Sequence, residues 1–310
     1  MDLDVVFLGT AGSSPTAARG LPATLVRRGG ERLLFDCGEG TQRQLLQSTG
    51  LVDLEEIFFT HYHADHFLGL PGMLKTFGLR GRDLPLTLYG PPGLGTLVRA
   101  LKPVIGRTAF ELRLVELEPN EELERDGYRI AAFNVRHRVQ AYGYALVEDE
   151  RPGRFDAEEA ARLGVTHGPD FGRLQRGETV NGVTPEQVVG PGRHGRRIVY
   201  TGDTSPVQTV EVYAHKAEVL VHEATFCEDD RDRARDTGHS TAHQAALAAQ
   251  AAEVKLLALT HLSTRYFPRD VRDEAREVFE RTIVPRDFEA IEVPFPERGE
   301  PRLIKPEPEA

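Results

Sequence analysis

Thr60-His61-Tyr62-His63-Ala64-Asp65-His66 decides how this chain of 310 residues is read. Three of its 11 histidines fall within these seven positions, beside a carboxylate and directly after the apolar run Ile57-Phe58-Phe59. Hydrophobic packing gives no reason to crowd four such groups onto one turn. A divalent cation does, because it needs several imidazole and carboxylate donors converging from a rigid edge. In an extended turn His61 and His63 point the same way, while Asp65 and His66 lie further along and do not easily reach the same ion. The spacing predicts two metal positions.

A second position needs donors from distant strand ends, and three candidates sit at such ends. His137 follows Ala131 to Val135, Asp203 follows Ile198-Val199-Tyr200, and His261 follows Leu256 to Thr260. Further apolar runs read as strands at Leu3 to Leu8, Ala23 to Arg28, Arg32 to Phe35, Leu86 to Tyr89, Phe110 to Leu117, Tyr128 to Val135, Tyr142 to Val147, Val219 to Val221 and Ala290 to Val293. Helices are predicted over Glu39 to Ser48, Leu94 to Val104, Thr241 to Ala252 and Arg269 to Arg281. Thr241 and Gln244 are spaced as a capping box at the head of the third. Strands alternating with helices predict an α/β fold in a single domain over residues 1–310.

Between Arg151 and Arg197 glycines and prolines recur and periodicity fades over a stretch too long for an ordinary loop. Residues 151–197 are therefore expected to form an inserted, flexible, protruding arm. The segment 294–310, rich in proline and glutamate, is expected to fray.

Composition excludes several classes. Apolar residues at 40% and charged ones at 28% rule out wholesale disorder. The formal net charge of −10 argues against indiscriminate nucleic-acid binding, which a basic field would supply. Local basic stretches remain, with Arg193, His194, Arg196 and Arg197 in one and Lys75, Arg80 and Arg82 in another, each either a phosphate track or a solvated face. No apolar run approaches the ~18 residues of a membrane helix, and the acidic start Met1-Asp2-Leu3-Asp4 is unlike a secretory signal. No membrane association and a cytoplasmic location are expected. Cys37 and Cys227 are too few for a disulfide framework and are expected to be reduced thiols.

The first cluster resembles the His-x-His-x-Asp-His motif of the metallo-β-lactamase superfamily, met by His61, His63, Asp65 and His66. The resemblance implies a four-layer αβ/βα sandwich with two zinc ions at one sheet edge, manganese or iron being possible substitutes. One ion would take His61, His63 and His137, the other Asp65, His66 and His261, and Asp203 would bridge them. Asp36 matches an early aspartate that supports the ligand loop.

Substrate is narrowed by further segments. His222-Glu223-Ala224-Thr225-Phe226, Gly238-His239-Ser240-Thr241-Ala242 and Leu259 to Tyr266 look like motifs of the ribonuclease Z family, as do Gly69-Leu70-Pro71-Gly72 and Gly9 to Ser13. That similarity implies an endoribonuclease that cleaves the 3′ trailer from tRNA precursors, leaving a 3′-hydroxyl on the tRNA and a 5′-phosphate on the trailer. It also implies a homodimer and an arm that grips the tRNA, placed here around Gly168-Pro169 and Arg176. Asp65 would orient the nucleophile and accept its proton, and His239 held by Glu223 would protonate the leaving oxygen. Arg19 and Arg265 are substrate-binding candidates. Pro15-Thr16-Ala17-Ala18-Arg19 carries alanine where the family motif has lysine, which bears on how the CCA end is sensed. The alternative on the same scaffold is a small-molecule hydrolase, either a glyoxalase II-like thioesterase or an arylsulfatase-like esterase.

Overall fold

Along β1 (Leu3–Gly9), Val5 and Phe7 face one way and Val6 and Leu8 the other, yet all four are buried. A strand that is apolar on both sides needs cover on both, and the same holds through β2 (Ala23–Arg28), β3 (Glu31–Phe35) and β4 (Glu56–Phe58). The computed structural model, which describes residues 1–51 and 54–304, meets this need with four layers.

The first sheet continues through β5 (Leu86–Gly90) and β6 (Leu112–Glu116). The second sheet holds β7 (Glu122–Arg125), β8 (Tyr128–Asn134), β9 (Tyr142–Glu148), β10 (Arg197–Tyr200), β11 (Val219–Glu223), β12 (Leu256–Thr260) and β13 (Thr282–Ile283). The chain then returns to the first sheet with β14 (Ala290–Glu292) and β15 (Arg302–Ile304). The strand orders are β15-β14-β1-β2-β3-β4-β5-β6 and β13-β12-β11-β10-β9-β8-β7.

The sheets face each other across Val5, Phe7, Phe35 and Phe58 on one side and Ile130, Tyr144, Tyr200 and Ala258 on the other. On the outer face of the first sheet lie α1 (Thr41–Gln47), α2 (Ala64–Phe67), α3 (Gly69–Leu79), α4 (Leu94–Ala100) and α5 (Lys102–Ile105). The helix expected over Leu94 to Val104 is thus split in two at Leu101, one residue before a helix that carries Pro103 in its first turn.

The 151–197 stretch holds regular structure that its fading periodicity does not mark. It contains α6 (Ala157–Arg162), α7 (Pro169–Gln175) and α8 (Pro185–Val188), packed around Ala160, Val165, Leu174, Val180, Val183 and Val188, a core separate from the main ones. These short helices start on an Asp156 cap, a Pro169 first turn and a Thr184-Gln187 capping box, signals too brief for periodicity to register.

Outside the second sheet pack α9 (Gln208–Ala214), α11 (Ala242–Ala251) and α12 (Pro268–Arg276), with α10 (Arg231–Thr237) leading towards α11. The Thr241-Gln244 capping box forms as read, while α12 stops five residues short of Arg281. The frayed-tail expectation is corrected for residues 294–304. The Arg196 guanidinium lies 3.9 Å and that of Arg151 3.6 Å from the Phe295 ring centroid, Glu297 pairs with Arg151 at 2.8 Å, and β15 joins the sheet. Residues 305–310, the remainder of that expectation, lie outside the described residues.

Candidate metal centre

Strand direction brings the donors together. β3 to β6 are parallel, as are β10 to β13, and β8 runs with β10 because β9 is antiparallel to both. The C-terminal ends of β3, β4, β8, β10, β11 and β12 then deliver Asp36, His61, His137, Asp203, Glu223 and His261 to one edge of the sandwich. Asp36 (φ 60°) and His261 (φ 58°) hold left-handed backbone that is costly for a side chain with a Cβ.

Three donor groups result. His61, His63, His137 and Asp203 have their ligating atoms within 4.8 Å of one another, as do Asp65, His66 and His261, and so does a third, overlapping set of Asp203, His239 and His261. In the first group His61 Nε2 lies 2.9 Å and His137 Nε2 3.2 Å from His63 Nδ1. In the second, His261 Nε2 lies 3.3 Å and His66 Nε2 3.8 Å from Asp65 Oδ2. Asp203 stands between them. Its Oδ2 is 3.7 Å from His61 and 3.9 Å from His137, while its Oδ1 is 3.2 Å from both His66 and His261.

Neighbouring groups choose which nitrogen each imidazole offers. His66 Nδ1 is bound by Asp36 at 2.7 Å, His137 Nδ1 by the Gly238 carbonyl at 2.7 Å, His261 Nδ1 by the Thr225 hydroxyl at 2.8 Å and His61 Nδ1 by the Thr60 hydroxyl at 3.0 Å. That leaves Nε2 of all four for a cation, the arrangement metal-ligating histidines use. Asp36 in turn accepts from the Thr60 amide at 2.8 Å and the Tyr200 hydroxyl at 3.0 Å, so it braces the ligand loop as the motif implied. The fit to metal shows in two atoms: His66 Nε2 and Asp203 Oδ1 are buried with no hydrogen-bond partner among the described residues. Burial works against charge on His66, but Asp203 and Asp36 outweigh it and hold its pKa well above the ordinary value. Asp203 lies well below the usual carboxylate range, burial being opposed by His261 and His66. Such a group trades a proton for a cation.

Close packing fixes the loops around the donors. A Cβ on Gly12 would fall 2.4 Å from His261 Nδ1, and one on Gly202, at φ 60°, would fall 2.6 Å from Thr60 Cγ2. The Ser13 amide donates to Asp65 Oδ2 at 2.8 Å. Ser13, Thr225, Tyr200 and the Gly238 carbonyl were not singled out in the sequence as supports of the donors. Their segments carried glycines or motif residues, but a backbone amide or a lone hydroxyl leaves no signature of its own.

Beside the donors, Glu223 accepts from the Thr204 amide at 3.0 Å and the Thr225 hydroxyl at 2.7 Å and holds His239 Nδ1 at 2.8 Å. Burial lowers the His239 pKa, but the Glu223 charge and hydrogen bond prevail and raise it to about 9. Burial pushes the thiols of Cys37 and Cys227 up to about 12, so neither offers a thiolate.

The other site candidates are not brought to this cluster. Arg19 is engaged by the Thr10 hydroxyl and donates to the Pro285 carbonyl at 2.9 Å, Arg265 lies 3.8 Å from Asp230, and Arg176 lies 3.5 Å from Glu178. Gly168, in positive-φ backbone, and Pro169 start α7 in the inserted segment. Four arginines of the basic stretches are engaged within the fold. Arg196 is buried in a bidentate pair with Glu148, Arg193 pairs with Glu297 at 3.0 Å, Arg197 donates to the His215 carbonyl at 2.8 Å, and Arg82 is bonded to the Leu54, Leu84 and Pro85 carbonyls. Guanidiniums with backbone and carboxylate partners close by are spent on the fold.

Comparison with known proteins bears on this geometry. The family profile described as a beta-lactamase superfamily domain matches residues 31–180 and 154–262. The chain is 46% identical to the ribonuclease Z of Halorubrum lacusprofundi over 310 residues, covering 97% of this chain and 100% of that one. It is 44% identical to the ribonuclease Z of Myxococcus xanthus, covering 94% and 98%. Among solved structures, the short form of human tRNase Z superposes with a TM-score of 0.69 at 29% identity, over 94% of this chain and 99% of that one. With the fold, the donor edge and these relatives in agreement, the chain belongs to the ribonuclease Z family of the beta-lactamase superfamily.

Proposed function

We propose that the chain is a zinc-dependent endoribonuclease that cleaves the 3′ trailer from tRNA precursors, leaving a 3′-hydroxyl on the tRNA and a 5′-phosphate on the trailer. The observation that carries this reading is the two donor groups with Asp203 between them and the Glu223-His239 pair beside them, in a chain 46% identical to a ribonuclease Z. His61, His63 and His137 would hold one ion and Asp65, His66 and His261 the other, with Asp203 between. Two divalent cations supply a hydroxide near neutrality and a clamp for a nonbridging phosphate oxygen.

The chain's own residues do the rest. Asp65, held low by His261 and His66 against the effect of burial, is a carboxylate suited to orienting the attacking water. The same carboxylate is placed to accept that water's proton. As the bond from phosphorus to the 3′-oxygen breaks and the bond to the attacking oxygen forms, the 3′-oxygen needs a proton. His239, cationic below about 9 and aimed by Glu223, donates it. In the assembled enzyme two copies pair as a homodimer in the cytoplasm, with the inserted segment around Gly168, Pro169 and Arg176 gripping the tRNA. Family membership supports this arrangement.

Incubation of the zinc-loaded protein with a 3′-extended tRNA precursor, followed by mapping of both product ends, tests the reading. A 3′-hydroxyl tRNA and a 5′-phosphorylated trailer are expected. Rapid thioester turnover with no cleavage of precursor or of bis(p-nitrophenyl) phosphate would instead make it a small-molecule hydrolase.

A further inference from the structure

A cavity of about 590 Å³ lies beside the metal centre, its lining including His137, His239 and Pro206. Arg136, Arg138, Arg231 and Arg235 line it too. The last two are neutralised locally, Arg231 by Glu228 at 3.1 Å and Arg235 by Asp232 at 3.0 Å. Arg136 and Arg138 differ. They are exposed, they flank the donor His137 in sequence, and among the described residues neither guanidinium has an ion pair or hydrogen bond.

Gly238 places one of them. A Cβ there would come within 3.0 Å of Arg138 Cγ and 3.1 Å of His137 Nδ1, so the glycine lets the Arg138 stem lie down immediately before His239. A planar guanidinium held at the mouth of a cavity suits a phosphate oxygen pair.

The chemistry of the cut says which phosphate. The oxygen that His239 protonates is the 3′-oxygen of the last nucleotide kept on the tRNA, so that nucleotide lies on the His239 side. The trailer phosphate stays with the donor groups. We propose that this cavity holds the last retained nucleotide, with Arg138, assisted by Arg136, on the phosphate joining it to the nucleotide before. The proposal rests on the endoribonuclease reading above and adds its tRNA-side subsite.

The test separates the two halves of the substrate. Dissociation constants are measured by fluorescence anisotropy for a 3′-hydroxyl tRNA and for a 5′-phosphorylated trailer oligonucleotide, with metal-loaded and with metal-free protein. The proteins are wild type, Arg138→Ala, Arg138→Lys, Arg136→Ala and a control on the edge strand, Arg302→Ala, and melting curves confirm that each is folded. Arg138→Ala is expected to weaken tRNA binding roughly 10-fold or more and to flatten its salt dependence by about one counterion, with Arg136→Ala smaller and Arg138→Lys between wild type and alanine. Trailer affinity and the control stay unchanged. A loss confined to the trailer would move the cavity to the other side of the cut, and no change in either ligand would make the two arginines a solvated rim. If wild-type protein neither binds nor cleaves precursor tRNA, the endoribonuclease reading fails first and removes the basis for this one.

Discussion

His239 stands at the point where the chemistry of the site can be tested by a single atom. Its cationic form is the proton donor; with a pKa raised to about 9 that form is complete at neutral pH and is lost as pH rises through about 9. Turnover is therefore expected to fall on the alkaline side, and Glu223→Gln, which removes the charge that holds the proton, should move that limb to lower pH in a pH-rate profile. His239→Ala should cost about 10²- to 10⁴-fold in kcat with metal content unchanged in elemental analysis. A loss of metal in that variant would place His239 among the ligands, a position its distance of 3.9 Å to Asp203 puts within range. His63→Ala, by contrast, is expected to lose both metal and activity. The opposite pH direction applies to His66, whose proton competes with the cation, so metal content should fall as pH is lowered.

At the level of elements, the donor residues were legible because each sits where an apolar run stops: His61 after β4, Asp203 after β10, His261 after β12. What surrounds them was not. Thr225, Tyr200 and the Gly238 carbonyl become partners only when strands remote in sequence are laid side by side, and nothing in a hydroxyl or a carbonyl announces that. β7 escaped because its Glu122, Leu123, Glu124 and Arg125 are an edge strand with charge on both sides of one leucine, so no apolar run marks it. The inserted segment escaped for another reason. Its helices are four to seven residues long, below the length at which helical periodicity shows, and their small core forms only when all three meet. Leu174→Ala removes the buried leucine of α7 and should destabilise that core by about 2–5 kcal/mol. The expected result is a raised KM for precursor tRNA with turnover of bis(p-nitrophenyl) phosphate unchanged. Equal losses on both substrates would tie the segment to the main body instead.

For the whole molecule, a net charge of −10 has to meet a polyanion, and Arg193 and Arg196 of the first basic stretch are bound into the fold. Positive charge at the donor edge would come from the cations the donor groups can hold and from Arg136 and Arg138 beside them. Chelation should accordingly do more than stop turnover. It removes ions that bind the folded chain in preference to the unfolded one, so the melting temperature is expected to fall and to be restored by zinc, as differential scanning calorimetry would show. Anomalous diffraction from a zinc-loaded crystal, recorded on both sides of the zinc edge, tests the centre most directly. Two peaks are predicted, one among His61, His63 and His137 and one among Asp65, His66 and His261, with the Asp203 carboxylate reaching both. A single peak, or two with Asp203 turned away from them, would contradict the account.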